Sequence, residues 1–100
     1  MTDLRPLVLP LNGIYFDQIK AGDKPEEFRL ITPFWSKRLV GREFSHVELT
    51  RGYPARGDKE RRLKRQWRGY RTTEITHPHF GDKTVDVFAI DVSVPLCPSL

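Results

Sequence analysis

Four residues near the start of the chain have the types and the spacing of a polar binding site. They follow the pattern G-x-K-x-x-E-x-R inside the stretch AGDKPEEFR and are Gly22, Lys24, Glu27 and Arg29. Lysine and arginine bind phosphates and other anions, whereas a glutamate accepts hydrogen bonds from an amine or acts as a general base. The pattern therefore predicts either one wall of a ligand cleft or a solvated turn.

The strand predicted over residues 26–31, EEFRLI, decides how these charges are arranged. Glu27 and Arg29 have the same parity, so their side chains would point to one face about 6–7 Å apart. If that face lines an interior, each charge needs a partner, because an unpaired buried charge is costly. A purely structural ion pair of Glu27 with Lys24 or Arg29 is therefore the alternative to a ligand site.

Three further residues are candidates for the same cleft. Glu74 lies on the strand predicted over residues 70–76, where a second carboxylate would permit acid–base hydrolysis of an amide. An exposed glutamate on a strand is the alternative. Tyr53, which stands beside Arg51 in LTRGYP, suits stacking on a nucleobase, with Arg51 as a second ligand contact. Packing of Tyr53 over the mouth of the fold is an equal alternative.

Positive charge is concentrated in residues 51–71, called here the basic block. It contains nine Lys and Arg against Asp58 and Glu60, a local balance of +7, whereas eight basic and eleven acidic residues elsewhere give −3. Such a block attracts phosphates, and its aromatic residues can stack on bases. A solvated basic helix with Leu63 and Trp67 docked on the core is the alternative. The candidate nucleic-acid contacts are Arg61, Arg62, Lys64, Arg65, Trp67 and Arg68.

The elements that hold these residues are predicted to be short. Alternation and turn residues predict strands over residues 5–11, 26–31, 43–50, 70–76 and 84–92. Caps and helical spacing predict helices over residues 12–21, 33–39 and 59–67. About five strands with about three short helices predict one α+β or mainly β domain over residues 1–100, a closed or half-closed β-barrel with flanking helices. The sequence is compatible with a flexible tail over residues 94–100.

Composition excludes several classes of protein. The chain has 100 residues, of which 38% are hydrophobic and 30% charged, as in globular domains, and no apolar run approaches the ~20 residues of a membrane span. The N-terminus is a poor signal peptide, and one cysteine, Cys97, cannot form an internal disulfide. We therefore expect a cytoplasmic protein without membrane contact. His77 and His79 lack a reliable zinc-ligand spacing, so neither metal nor cofactor is predicted.

The opening pattern, with a helix before it and a strand after it, resembles the signature of ASCH domains. These are small β-barrel relatives of the PUA fold, and Gly22, Lys24, Glu27 and Arg29 fill all four positions of the motif. Outside the motif, the likeness is one of general layout over most of the chain. The resemblance implies a PUA-like barrel whose motif lines a cleft that could hold a nucleotide. It also implies an association with RNA.

Two functions follow from this resemblance. The preferred one is recognition of RNA, a nucleotide or a modified nucleoside in the cleft, with attraction by the basic block. The alternative is a hydrolase, because some short bacterial ASCH proteins look like amidohydrolases that deacylate N4-acetylcytidine, and another resembles a ribonuclease. In the amidohydrolases a threonine stands where this chain has Glu27, and a carboxylate cannot serve as an alkoxide nucleophile. In an amidohydrolase built on this cleft, Lys24 would be the activating group, and Glu27 or Glu74 would carry the proton. In a ribonuclease, Lys24 and Arg29 would stabilise the phosphorane.

Overall fold

A computed structural model describes residues 4–76 and 81–96. Its elements are, in chain order, β1 (Leu7–Leu11), α1 (Gly13–Ala21), β2 (Glu26–Leu30), α2 (Pro33–Leu39), β3 (Val47–Arg51), β4 (Arg62–Arg65), β5 (Tyr70–Thr76) and β6 (Thr84–Asp91). The strands form two three-stranded sheets, with orders β1-β3-β4 and β2-β6-β5. The fold is a small α+β arrangement, and the described residues contain no closed barrel.

The first sheet begins with a proline-containing edge strand. β1 pairs with β3 in parallel, and β4 pairs with the other side of β3 in antiparallel orientation. Pro10 has no N–H to donate to a sheet, which suits its place on the edge. Leu7, Leu9 and Leu11 are buried, whereas Val8 is partly exposed, so β1 has one face on the core. The strand predicted over residues 5–11 is confirmed as β1.

The second sheet is built around its central strand, β6. β2 and β5 flank it in antiparallel orientation. Residues 87–90 are all buried, as expected for a central strand that is covered on both faces. Phe88 and Ile90 join the main core, and Val87 and Ala89 alternate with them. The strand predicted over residues 84–92 is therefore confirmed, with its two faces in the expected alternation.

Both helices start at the caps that the sequence indicates. The Asn12 side chain accepts a hydrogen bond from the Ile14 amide at 3.0 Å, and Gly22 ends α1 with φ of 88°. The Thr32 hydroxyl accepts from the Trp35 amide at 3.2 Å at the start of α2. Since these side chains satisfy amides that lack a helical partner, the boundaries are set locally. The predictions for residues 12–21 and 33–39 are confirmed.

The helix predicted over residues 59–67 is wrong. Residues 62–65 form β4, in which Leu63 is paired with Leu49 and Arg65 with Val47 of β3. Leu63 and Trp67 had helical spacing, but two apolar residues are a weak signal, and tertiary pairing overrides it. The described residues thus contain six strands and two helices instead of five and three. The strand predicted over residues 43–50 is also shorter, because β3 begins at residue 47.

A single apolar cluster connects the two sheets and the two helices. Its buried members are Leu7, Leu9, Leu11, Phe16, Ile19, Leu39, Val47, Leu49, Phe88, Ile90 and Val92. The sheets are also joined by the backbone, because Arg65 forms an isolated bridge with Pro95 and the Gln66 amide donates to the Val94 carbonyl at 2.8 Å. Residues 94–96 of the suggested tail are therefore held against β4, and the rest of that tail lies outside the described residues.

Candidate functional site

A cleft of about 540 Å³ opens between the end of β1, helix α1, strand β2 and the end of β5. β2 is an edge strand of the second sheet, and its residues line the cleft together with residues of α1 and β1. The lining residues combine charged, amide and aromatic groups and are Pro10, Leu11, Asn12, Tyr15, Gln18, Lys24, Glu27, Phe28, Arg29 and Ile75. Three of the four motif residues, Lys24, Glu27 and Arg29, therefore line one cleft.

The carboxylate of Glu27 forms the centre of the charged wall. Glu27 is only 6% exposed, and its two oxygens contact different cations. Oε1 lies 3.3 Å from Lys24 Nζ, and Oε2 accepts a hydrogen bond from Arg29 Nη2 at 3.0 Å. Lys24 Nζ also donates to the Glu26 carbonyl. The ion pairs weighed from the sequence as a structural alternative are present, and they line the cleft.

Arg29 connects the cleft to two other elements. Its Nη2 donates to the Pro10 carbonyl of β1 at 2.9 Å, and its guanidinium lies 5.1 Å from the ring centroid of Trp35 on α2. Its Nε is buried and has no hydrogen-bond acceptor in the described part of the chain. A buried N–H without an acceptor is unfavourable, so packing and the ion pair with Glu27 must keep this side chain in place.

Aromatic and amide groups complete the cleft, and sequence reasoning did not assign them to it. Lys24 Nζ lies 4.5 Å from the centroid of the Phe28 ring and 5.9 Å from that of Tyr15, distances that permit cation–π attraction. Asn12 and Gln18 add amide groups to the lining. The sequence did indicate that Tyr15 and Gln18 belong together, because residues three apart share one face of a helix. It held no signal that the end of β1 would meet this face.

Gly22 positions the motif rather than lining the cleft. Its amide donates to the Ile19 carbonyl at 3.1 Å, and the Asp23 amide donates to the Gln18 carbonyl at 2.9 Å. These bonds close the helix with a left-handed residue, after which the chain turns towards Lys24.

We expect Gly22→Ala to lower the free energy of unfolding by about 1–2 kcal/mol, because a Cβ is unfavourable at positive φ. No atom lies within 4 Å of the added Cβ, so the cost is confined to the backbone. Urea titration would measure it. Gly22→Asn is the matched control, since asparagine tolerates this conformation better and should lose less. Equal stability of Gly22→Ala and the wild type would contradict the left-handed conformation of Gly22.

Three other candidate residues do not line the cleft. Glu74 is exposed on β5 opposite Asp86, although its neighbour Ile75 does line the cleft. Tyr53 is 91% exposed, so it does not pack over a mouth. Arg51 lies against helix α1 instead, where its Nε is 3.5 Å from Asp17 Oδ1. The structure thus brings together Lys24, Glu27 and Arg29 but leaves these three outside the cleft.

The basic block is partly neutralised by neighbouring carboxylates. Five of its nine basic residues form ion pairs: Arg51 with Asp17, Arg61 with Asp58, Arg62 with Glu48, Arg68 with Asp91 and Arg71 with Glu26. Lys64 is exposed on β4 without such a partner among the described residues. The Trp67 side chain packs on Phe44 and donates to Glu43 Oε2 at 3.2 Å, so it belongs to the protein's own packing.

Arg65 is the buried member of the basic block. Its Nη2 donates to the Ile19 carbonyl at the end of α1 at 3.1 Å, and burial lowers the pKa of its guanidinium. It therefore joins the first sheet to the helix that leads into the motif. A side chain held in this way is not available to a phosphate, which leaves the exposed members of the block as candidate contacts.

A second, smaller cavity of about 220 Å³ lies beside the first residues of β2 and β5. Two ion pairs line it, Arg71 with Glu26 at 2.8 Å and Arg68 with Asp91 at 3.5 Å. Burial alone would raise the pKa of Asp91, but hydrogen bonds from Ser93 and the charge of Arg68 outweigh it and lower the pKa. The charges in this cavity are thus already paired.

Comparisons place the chain in no known group. No family model, no curated protein and no solved structure matches it. Among the residues 4–76 and 81–96, no set of three or more His, Cys, Asp or Glu could hold a metal ion, and no helix is long and apolar enough to cross a membrane. The interpretations of His77, His79 and Cys97 concern residues outside these ranges.

Proposed function

We propose that this chain binds RNA through a nucleotide or modified nucleoside held in the cleft of Lys24, Glu27 and Arg29. The observation that carries the proposal is the convergence of these charges with the rings of Tyr15 and Phe28 on one opening. At about 540 Å³, the cleft has the size of small-molecule sites, which are typically 300–1,000 Å³. Rings that accept a base by stacking, next to ionic groups, suit a nucleotide better than a purely apolar ligand.

Each charged group has a distinct task in this proposal. The Glu27 carboxylate accepts from an exocyclic amine such as the N4 amine of cytosine. Arg29 and Lys24 donate to a carbonyl or phosphate oxygen of the same ligand. Because each oxygen of Glu27 already contacts one cation, the carboxylate is fixed in direction before the ligand arrives. Preorganised polar groups of this kind favour selective recognition.

The assignment to the ASCH group, with its PUA-like barrel, is part of the same proposal. It is supported by the motif, by helix α1 before it and strand β2 after it, and by the backbone bridge between Arg65 and Pro95 that joins the two sheets. The cleft is also lined by residues of β2 and β5, the two edge strands of the second sheet.

A hydrolase acting at the same cleft is the second candidate. The contact between Lys24 Nζ and Glu27 Oε1 at 3.3 Å favours it, since a proton can be exchanged between these groups. Glu74 is exposed and away from the lining, so Lys24 and Glu27 would have to act without that second carboxylate. Release of cytidine from N4-acetylcytidine, or cleavage of single-stranded RNA, would identify this activity.

The test is calorimetric titration of the protein with cytidine monophosphate and with N4-acetylcytidine. We expect Lys24→Ala to weaken binding about tenfold to a hundredfold, because it removes a charge-assisted contact from the cleft. Lys20→Ala is the matched control, because this exposed lysine lies in the last turn of α1 and does not line the cleft. The affinity of Lys20→Ala for both compounds should equal that of the wild type.

The outcomes separate the two candidates. Binding that is lost in Lys24→Ala, with both compounds recovered intact, supports recognition. Conversion of N4-acetylcytidine by the wild type but not by Lys24→Ala supports the hydrolase. Failure of the wild type to bind either compound or labelled RNA at low salt would overturn the proposed function.

A further inference from the structure

Helix α2 exposes an aromatic and basic surface that the sequence analysis did not single out. This α2 surface consists of Phe34, Lys37 and Arg38. Phe34 is 60% exposed, and the other two residues are also exposed. The Arg38 guanidinium lies 5.1 Å from the centroid of Phe34 and 5.5 Å from that of Trp35. A large ring and two cations thus share one exposed stretch of helix.

The α2 surface is connected to the cleft by direct contacts. Arg29, which lines the cleft and bonds to Glu27, lies 5.1 Å from the ring centroid of Trp35. The Trp35 and Phe34 rings meet edge to face at 5.3 Å between centroids. Arg29 and Trp35 therefore span the interval from the cleft to Phe34. The two contacts place this surface within reach of a polymer that has one unit in the cleft.

The charge of the α2 surface differs from that of the basic block. Lys37 and Arg38 form no ion pair within residues 4–76 and 81–96, whereas most basic residues of the block are paired with carboxylates. Cations without a partner remain available for phosphates. A single strand offers phosphates to the cations and unstacked bases to the exposed ring. A duplex offers phosphates but no unstacked bases.

We propose that the α2 surface binds the single-stranded RNA segment that adjoins the nucleotide in the cleft. Phe34 stacks on a base, and Lys37 and Arg38 contact phosphates. This inference rests on the proposed function, since the cleft sets where the strand begins. According to this inference, the main contact with the RNA strand is made by α2 and not by the basic block.

Fluorescence anisotropy with a labelled single-stranded RNA tests RNA binding by the α2 surface. An RNA of about eight nucleotides suits it, because this length lies within the usual site sizes of single-strand-binding proteins. We expect Phe34→Ala to weaken binding about tenfold and Phe34→Tyr to retain it, because the tyrosine ring still stacks. Lys37→Gln with Arg38→Gln should reduce the slope of log affinity against log salt by about 1.4, about 0.7 for each lost phosphate contact. The affinity for cytidine monophosphate should not change in any of these variants.

The matched control for charge is Arg56→Gln with Lys59→Gln, which removes the same charge from the exposed loop between β3 and β4. Two results together would overturn the inference. The α2 double variant would have the same RNA affinity and salt slope as this control, and Phe34→Ala would bind RNA as the wild type does. In that case binding of cytidine monophosphate by the wild type would leave the proposed function standing. A wild type that binds neither RNA nor the nucleotide would overturn the function, and the inference with it.

Discussion

Replacing Glu27 with alanine is expected to lower the free energy of unfolding by about 2–4 kcal/mol, because it leaves two largely buried cations without their carboxylate. The side chains of Lys24 and Arg29 are 16% and 20% exposed, so solvent offsets only part of the loss. Thermal unfolding followed by circular dichroism would show a shift of about 4–8 °C for each kcal/mol. Glu74→Ala, which removes an exposed carboxylate, should change stability by less than about 0.5 kcal/mol.

A triple variant separates the structural role of these charges from their role in binding. Lys24→Met, Glu27→Leu and Arg29→Met replace the buried ion pairs with apolar groups of similar length, and such exchanges are often neutral for stability. We expect unfolding within about 1–2 kcal/mol of the wild type and complete loss of cytidine monophosphate binding. A stable triple variant that binds as the wild type does would reduce the charges to a structural role.

Phe16→Ala is expected to cost about 3–5 kcal/mol, because it removes a buried ring from the core. Phe16 is 2% exposed and lies on α1, next in sequence to Tyr15 of the cleft. Loss of this anchor should also weaken ligand binding, since α1 supplies Tyr15 and Gln18 to the lining. Urea unfolding together with calorimetric titration would measure both effects.

Ile14→Ala is the matched control for this prediction. Ile14 lies on the same helix but is 64% exposed, so its removal should change stability by less than about 0.5 kcal/mol. The contrast depends only on which side of α1 a residue occupies. Equal losses in the two variants would contradict the placement of α1 on the core.

The sequence predicted those parts of the fold that local chemistry determines. Caps at Asn12 and Thr32 and the turn at Gly22 fixed both helices, since each depends on a few neighbouring residues. Alternation located β6 for the same reason. β4 was predicted as a helix because its pairing with β3 is a tertiary interaction, which leaves no periodic signal in four residues.

The candidate site was predicted only where its residues are close in sequence. Lys24, Glu27 and Arg29 lie within one turn and one strand, and their grouping could be read directly. Gln18 and Phe28 line the cleft because α1 and β2 lie on either side of it, a tertiary arrangement that no spacing reveals. Four of the five ion pairs of the basic block likewise depend on carboxylates that are distant in the sequence, so the free charge of the block was overestimated from sequence.

Binding of a nucleotide in the motif cleft can be tested by a single measurement. It is titration of isotope-labelled protein with cytidine monophosphate, followed by amide chemical shifts in NMR spectra. We predict saturable shifts within residues 12–18 and 24–29, which include most of the residues that line the cleft, with small changes in residues 51–71. The absence of shifts at the cleft, or shifts confined to residues 51–71, would contradict it.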